Sequence, residues 1–89
     1  MNKNEITSEV AKKTGEKIGI SWNNFNIDQF RRGIIVELEH GTVSPQTNVT
    51  NDDLEMTGKI ALAHLNEFHD YYDRLEKMEK EAEKYWNTK

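Results

Sequence analysis

Two pairs of residues in this chain have the types and the spacing of metal ligands. Glu37 is followed three positions later by His40, and His64 is followed three positions later by Glu67. Residues three apart lie on one face of a helix, and a carboxylate and an imidazole at this spacing can present two ligands to one ion. The sequence therefore offers Glu37, His40, His64 and Glu67 as ligands for zinc, iron or manganese.

Helix geometry limits this metal hypothesis. In a simple antiparallel hairpin of the two helices, His40 lies at the closed end and His64 lies on the order of 15–18 Å away. A shared ion would require crossed or parallel helices, and di-iron bundles use further glutamates that this chain does not plainly supply. In the simpler interpretation, His64 is a core or boundary residue and His40 is a cation at a helix end. We therefore expect no cofactor, with a divalent metal as the alternative.

Other signatures of catalysis are absent from the sequence. There is no glycine-rich phosphate loop, no nucleophile elbow and no HExxH motif. The chain contains no cysteine, which excludes disulfides, thiolate metal sites and cysteine nucleophiles. The sequence therefore favours a protein that is not an enzyme.

Four segments carry apolar side chains every three or four positions, the spacing of an amphipathic helix. The predicted helices are 8–18, 27–40, 52–67 and 70–86. Gly41 directly follows the second helix, where we expect a left-handed C-terminal cap. The stripe of the fourth helix includes Leu75, Met78 and either Tyr85 or Trp86, and aromatic residues at helical spacing usually belong to a core. The pattern predicts an all-α fold, a compact bundle of about four helices.

The length of the chain fits one domain. With 89 residues there is room for one hydrophobic core, since single domains span roughly 50 to 200 residues. We expect a single helical domain over 1–89, with its core within 25–86. Residues 1–24 are predicted to form a peripheral helix and a connector.

A long loop, 41–51, joins the second and third predicted helices. It contains the only proline of the chain and has no apolar period. Loops of about a dozen residues in compact domains are usually functional or mobile. The loop is therefore the predicted surface for a protein partner. Its candidate contact residues are Thr47, Asn48, Thr50, Asn51 and Asp52.

Charge and hydropathy argue against two classes of function. Twelve Lys and Arg against sixteen Asp and Glu give a net charge of −4, the wrong sign for a domain that neutralises phosphates. No stretch approaches the ~18 apolar residues of a membrane span, and the N-terminus lacks the apolar run of a signal peptide. We expect a soluble, cytoplasmic protein without membrane contact. A nucleic-acid role would have to use Lys12, Lys13, Lys17, Arg31 and Arg32.

Several segments of the chain resemble a known family. The run ELEHG at 37–41 is followed by TNVTNDD, TGKIALAHLNEF and DYYDRLEKME, and the resemblance extends over 25–83. The family consists of small bacterial and phage-associated proteins and is catalogued as a domain of unknown function. The resemblance implies a helical fold and a bacterial or phage cytoplasmic setting, and it implies no activity.

Three functions remain open from the sequence. The leading one is a non-enzymatic interaction or accessory domain of bacterial or phage origin that binds a protein partner through the loop and the nearby helix ends. The second is a metal-binding protein, with or without hydrolytic activity, centred on His40 and His64 with Glu37 and Glu67. The third is a nucleic-acid accessory factor, which the net charge disfavours.

Overall fold

The computed structural model describes residues 3–87. These residues form four α-helices joined by turns and loops. A short 3-10 turn at Lys3–Glu5 precedes α1 (Ser8–Lys17), α2 (Ile27–Glu37), α3 (Leu54–Glu67) and α4 (Tyr71–Asn87). Residues 3–87 contain no β-strand, and the predicted all-α fold is confirmed. No helix within this range is long and apolar enough to cross a membrane.

Side-chain caps determine where the first three helices begin. Thr7, Asn26 and Asp53 each accept a hydrogen bond from the amide three residues further on, at 3.2, 2.8 and 2.9 Å. Each bond satisfies one of the backbone donors that the first turn of a helix leaves unpaired. The third helix therefore begins at Leu54, after its cap, and not at residue 52 as predicted.

The second helix ends earlier than predicted. The α-helix stops at Glu37, and Leu38–His40 continues as one turn of 3-10 helix. Gly41 has a φ of −102°, so the prediction of a left-handed cap is wrong. The glycine instead leaves room for the Asp52 carboxylate, because a Cβ on Gly41 would collide with Oδ1 of Asp52.

The hydrophobic core lies between α1, α2 and α3 and is closed on one side by the start of α4. Ile6 and Ala11 are 1% and 0% exposed, so the N-terminal segment, which was predicted to be peripheral, contributes to this core. Within the described part of α4, only Tyr72 is buried. The buried apolar residues are Ile6, Ala11, Phe25, Phe30, Ile34, Leu38, Ala61, Leu65 and Tyr72.

A notch in α2 receives the first turn of α4. A Cβ on Gly33 would lie 2.6 Å from Cε2 of Tyr72 and 3.0 Å from the Cβ of Ala61. The missing side chain at Gly33 therefore lets the Tyr72 ring pack directly against the backbone of α2. Glu37 lies four residues further along α2, on the same face, and this spacing brings its carboxylate to the Tyr72 hydroxyl.

Candidate functional site

One carboxylate is buried where α2, α3 and α4 meet. Glu37 is 5% exposed, and the hydroxyl of Tyr72 donates a hydrogen bond to its Oε1 at 3.3 Å. Nε2 of His64 lies 3.8 Å from the same oxygen. Three helices thus contribute one side chain each to a single polar cluster, which we call the Glu37 cluster.

Aromatic rings enclose the histidine of this cluster. The ring of Tyr71 stacks on His64 with centroids 4.4 Å apart, and Tyr72 meets it edge-on at 6.4 Å. The His64 side chain is 32% exposed, so it is a boundary residue beside a carboxylate, as the simpler interpretation expected. Its Nδ1 is buried and has no hydrogen-bond partner among residues 3–87.

The electrostatics of the cluster favour a structural role for Tyr72. Burial raises the pKa of the Tyr72 hydroxyl far above its ordinary value, and the charge of Glu37 and the hydrogen bond to it raise this pKa further. The hydroxyl therefore stays protonated and acts as a donor. A phenol held in this state does not serve as a base or nucleophile, and its hydrogen bond to Glu37 links α4 to α2.

The predicted four-residue metal site is not assembled. Glu37 and His64 come together, whereas His40 lies in the 3-10 turn and Glu67 ends α3, both with exposed side chains. Residues 3–87 contain no group of three or more His, Cys, Asp or Glu side chains that could hold a metal ion. Zinc sites in proteins use three or four protein ligands, so the Glu37–His64 pair alone does not make one.

The predicted interaction loop is held closed by hydrogen bonds at its base. The amide and the hydroxyl of Thr42 donate to the two carboxylate oxygens of Asp52, at 2.9 and 2.7 Å. The amides of Val49 and Thr50 both donate to the carbonyl of His40, at 2.6 and 3.1 Å. The loop therefore has a defined conformation supported by its own backbone.

The five predicted contact residues of this loop have different surroundings. Thr47, Asn48 and Asn51 are exposed. Thr50 is 2% exposed and supports the loop from inside. Asn51 and Asp52 have φ values of 50° and 62°, a left-handed conformation that Asn and Asp adopt more easily than most residues. The tight turn before α3 thus depends on these two residue types.

Two arginines that the sequence offered for nucleic-acid binding are used within the protein. Nε of Arg31 donates to the carbonyl of Ile6 at 2.8 Å. Arg32 pairs with Asp73 through Nη1 and with Glu76 through Nη2, the latter at 2.8 Å. The Arg32 hydrogen bond lowers the pKa of the Asp73 carboxyl. Of the five basic residues, Lys12, Lys13 and Lys17 remain exposed.

An exposed apolar surface on α4 was missed at the sequence level. It consists of Phe68, which ends α3, and of Tyr71, Leu75, Met78, Ala82 and Tyr85 on α4, and we call this set the α4 stripe. Tyr71 and Leu75 are half-buried, and the other four residues are exposed. Phe68, Met78 and Tyr85 are 50%, 57% and 53% exposed. The spacing of these residues was visible in the sequence, but the stripe was assigned to the core.

Two shallow grooves border the α4 stripe. Each has a volume of about 180 Å³, and Leu75 lines both of them. The first groove is lined by Phe68, Tyr71, Arg74, Leu75 and Met78. The second groove runs between α2 and α4 and is lined by Arg32, Ile35, Val36, Tyr72, Leu75, Glu76 and Glu79.

Comparison with protein families accounts for most of the chain. A family model described as "Protein of unknown function (DUF5661)" matches residues 11–81. The chain belongs to the DUF5661 family. The DUF5661 match includes the Glu37 cluster, the ion pairs of Arg32 with Asp73 and Glu76, and the α4 stripe as far as Met78. No significant match was found among curated proteins or among solved structures.

Proposed function

We propose that this DUF5661 protein is a non-enzymatic interaction domain that binds a protein partner through the α4 stripe. The observation that carries the proposal is that Phe68, at the end of α3, and Met78 and Tyr85, on one side of α4, are each at least half exposed. Contiguous exposed apolar surface in a small protein usually marks an interaction site. Apolar anchors at helical spacing are the form of contact that a partner helix or groove recognises.

The attachment of α4 supports the proposal. The first turns of the helix are fastened to α2 by Tyr72, whose hydroxyl donates to Glu37, and by Arg32, which pairs with Asp73 and Glu76. Beyond Leu75, the described residues of α4 are all exposed. A partner would therefore meet a helix whose first turns are already fixed to α2, so ordering those turns would not add to the entropy cost of binding.

The setting we propose is the cytoplasm of a bacterium or of a phage-infected cell. The support is the resemblance of segments 25–83 to small bacterial and phage-associated proteins. Fractionation of the source cell is expected to recover the protein with cytosolic markers. Recovery in the membrane or extracellular fraction would contradict the proposed location and leave the proposed surface unaffected.

Site-specific photo-crosslinking tests the proposed surface. A photoreactive phenylalanine analogue replaces Met78 on the stripe in one variant and Lys77 on the outer side of α4 in the control. In the source cell, we expect discrete protein adducts from position 78 and none from position 77. Identical adducts from both positions, or none from position 78, would overturn the proposal.

The loop at 41–51 is a second candidate surface. Val43 and Val49 are 74% and 71% exposed, and the Thr42–Asp52 hydrogen bonds hold the loop that carries them. The same photoreactive group at position 43 tests it. Adducts from position 43, together with none from position 78, would transfer the proposed function from the α4 stripe to the loop.

A further inference from the structure

We infer that the partner of the α4 stripe is the α4 stripe of a second copy of this chain, arranged antiparallel in a two-fold symmetric dimer. This inference rests on the proposed function, because it names the partner of the same surface. Three features of the stripe support it: its spacing, the sizes of its side chains and the charges beside it.

The spacing of the stripe is that of a coiled-coil seam. From Tyr71 to Tyr85 the intervals between members are four, three, four and three residues, all within α4, and Phe68 lies just before the helix begins. This alternation is the heptad pattern, in which apolar residues at positions a and d face a partner helix. The seven-residue repeat favours a helix of the same kind as the partner, since two such seams supercoil around each other.

The sizes of the side chains favour the antiparallel orientation. In a register centred between Leu75 and Met78, each of these residues meets the other one from the second copy. Tyr71 then lies opposite Ala82 of the second copy, so a large side chain faces a small one. A parallel pair in register would instead place Ala82 opposite Ala82 and Tyr71 opposite Tyr71. Close packing with few voids therefore favours the antiparallel arrangement.

The charges beside the stripe are complementary in the same register. Arg74 and Glu81 are seven residues apart and thus occupy equivalent positions on one edge of the seam. The antiparallel arrangement brings Arg74 of one copy beside Glu81 of the other, and the symmetry makes this pair twice. The Arg74 guanidinium lies over the Phe68 ring at 4.6 Å, and its Nε donates to Oδ1 of Asp70 at 2.8 Å, which together hold it at the edge of the seam. Such flanking pairs set orientation and register.

Of the other charged residues of α4, Glu76 and Glu79 line the groove between α2 and α4 beside Leu75, on the opposite edge of the seam from Arg74 and Glu81. Lys80 and Glu76 form an ion pair of 3.2 Å along the helix, with both side chains more than half exposed.

The proposed antiparallel contact is isologous, because both copies use the same surface. Such a two-fold contact closes on itself and produces a dimer without further growth. Each copy would cover the exposed second half of α4 of the other copy.

Sedimentation equilibrium over a range of concentrations up to millimolar tests the dimer. We expect the wild-type chain to reach twice its mass of 10.4 kDa. The Met78→Glu variant, with a charge in the middle of the seam, should stay monomeric. Lys77→Gln, which changes the net charge by the same one unit outside the seam, should dimerise like the wild type. Circular dichroism verifies that both variants keep their helices.

Disulfide trapping tests the orientation, and the chain suits it because it contains no cysteine of its own. The double variant Tyr71→Cys/Ala82→Cys should form a covalent dimer under mild oxidation. Ala82→Cys alone should not, because the two copies of position 82 are separated by about 16 Å along the axis. A disulfide requires Cα atoms within about 7 Å. A covalent dimer from Ala82→Cys alone would overturn the antiparallel arrangement in favour of a parallel one.

The possible failures can be told apart. A wild-type chain that stays monomeric at every concentration overturns the inference. If position 78 still gives photo-adducts with another protein in that case, the proposed function stands and only its partner is wrong. If the wild type dimerises and Met78→Glu dimerises equally well, the dimer uses another surface and the inference is again overturned.

Discussion

Tyr72 combines two roles that depend on one glycine. Its ring fills the notch at Gly33, where a Cβ would approach within 2.6 Å, and its hydroxyl is the hydrogen-bond donor to the buried Glu37 carboxylate. A buried carboxylate that loses its donor keeps the full cost of desolvation. The stability of the fold should therefore be sensitive to the single oxygen atom of this side chain.

Tyr72→Phe removes that oxygen and keeps the ring. We expect the free energy of unfolding to fall by about 1.5–3 kcal/mol, the range for losing a hydrogen bond to a charged group. Urea denaturation measures it. Tyr71→Phe is the matched control, since Tyr71 contributes its ring to the stack on His64, and it should cost less than about 0.5 kcal/mol. Equal losses in the two variants would show that the bond to Glu37 is unimportant.

The same residue predicts a dependence on alkaline pH. Burial raises the Tyr72 pKa in the folded state, so the folded state holds the proton more tightly than the unfolded state. The stability from this group is complete below about pH 10, the ordinary tyrosine pKa, and is lost above it at about 1.4 kcal/mol per pH unit. The stability difference between wild type and Tyr72→Phe should therefore shrink above about pH 10. A constant difference up to about pH 11 would contradict this explanation.

At the level of helices and loops, the sequence predicted starts better than ends. The starts of α1 and α2 were predicted at residues 8 and 27, where both helices begin, whereas α3 begins two residues after its predicted start. The end of α2 was harder to predict, because a 3-10 turn continues it and Asp52, eleven positions after Gly41, occupies the space beside the glycine. The helix propensity of the residues around Gly41 does not reveal that the side chain of Asp52, at the other end of the loop, lies beside Gly41 in the fold.

Gly41→Ala tests this explanation of the loop. The new Cβ would displace Asp52 and break its hydrogen bonds to Thr42. We expect the Thr42 amide to exchange with solvent about tenfold faster, equivalent to about 1.4 kcal/mol of local stability. Lys59→Ala is the control, because Lys59 is an exposed residue of α3 and the Thr42 amide should not respond to its loss. Unchanged exchange in Gly41→Ala would mean that the glycine has another role.

At the level of the whole molecule, the sequence predicted the helices but not their relative importance to the core. Periodicity shows that α4 has an apolar face, and it does not show whether anything covers that face. The pairing of Glu37 with His64 likewise depends on how α2 and α3 pack, which no spacing along the chain reveals. Ile6 precedes α1 and continues the four-residue spacing of Val10, Thr14 and Ile18, yet this spacing does not reveal that Ile6 is 1% exposed.

Two truncations of similar length test how much each end of the chain contributes to the stability of this core. Ending the chain after Lys77 removes the exposed part of α4 and retains Tyr72, Leu75 and both carboxylates that bind Arg32. At concentrations where the chain is monomeric, this truncation should change the free energy of unfolding by less than about 1 kcal/mol, because the residues that it removes lie on the surface. Cooperative urea unfolding should be retained.

Starting the chain at Lys12 should be far more costly. It removes Ile6 and Ala11, which are 1% and 0% exposed, together with the Thr7 cap of α1 and the carbonyl that accepts from Arg31. Burial of one large aliphatic side chain contributes about 1.5–3 kcal/mol, and the lost cap adds about 1 kcal/mol. We therefore expect a loss above about 3 kcal/mol. The opposite result would be that the N-terminal truncation is tolerated and the α4 truncation unfolds the protein. The core would then have to lie around α4, and the α4 stripe would not be an interaction surface.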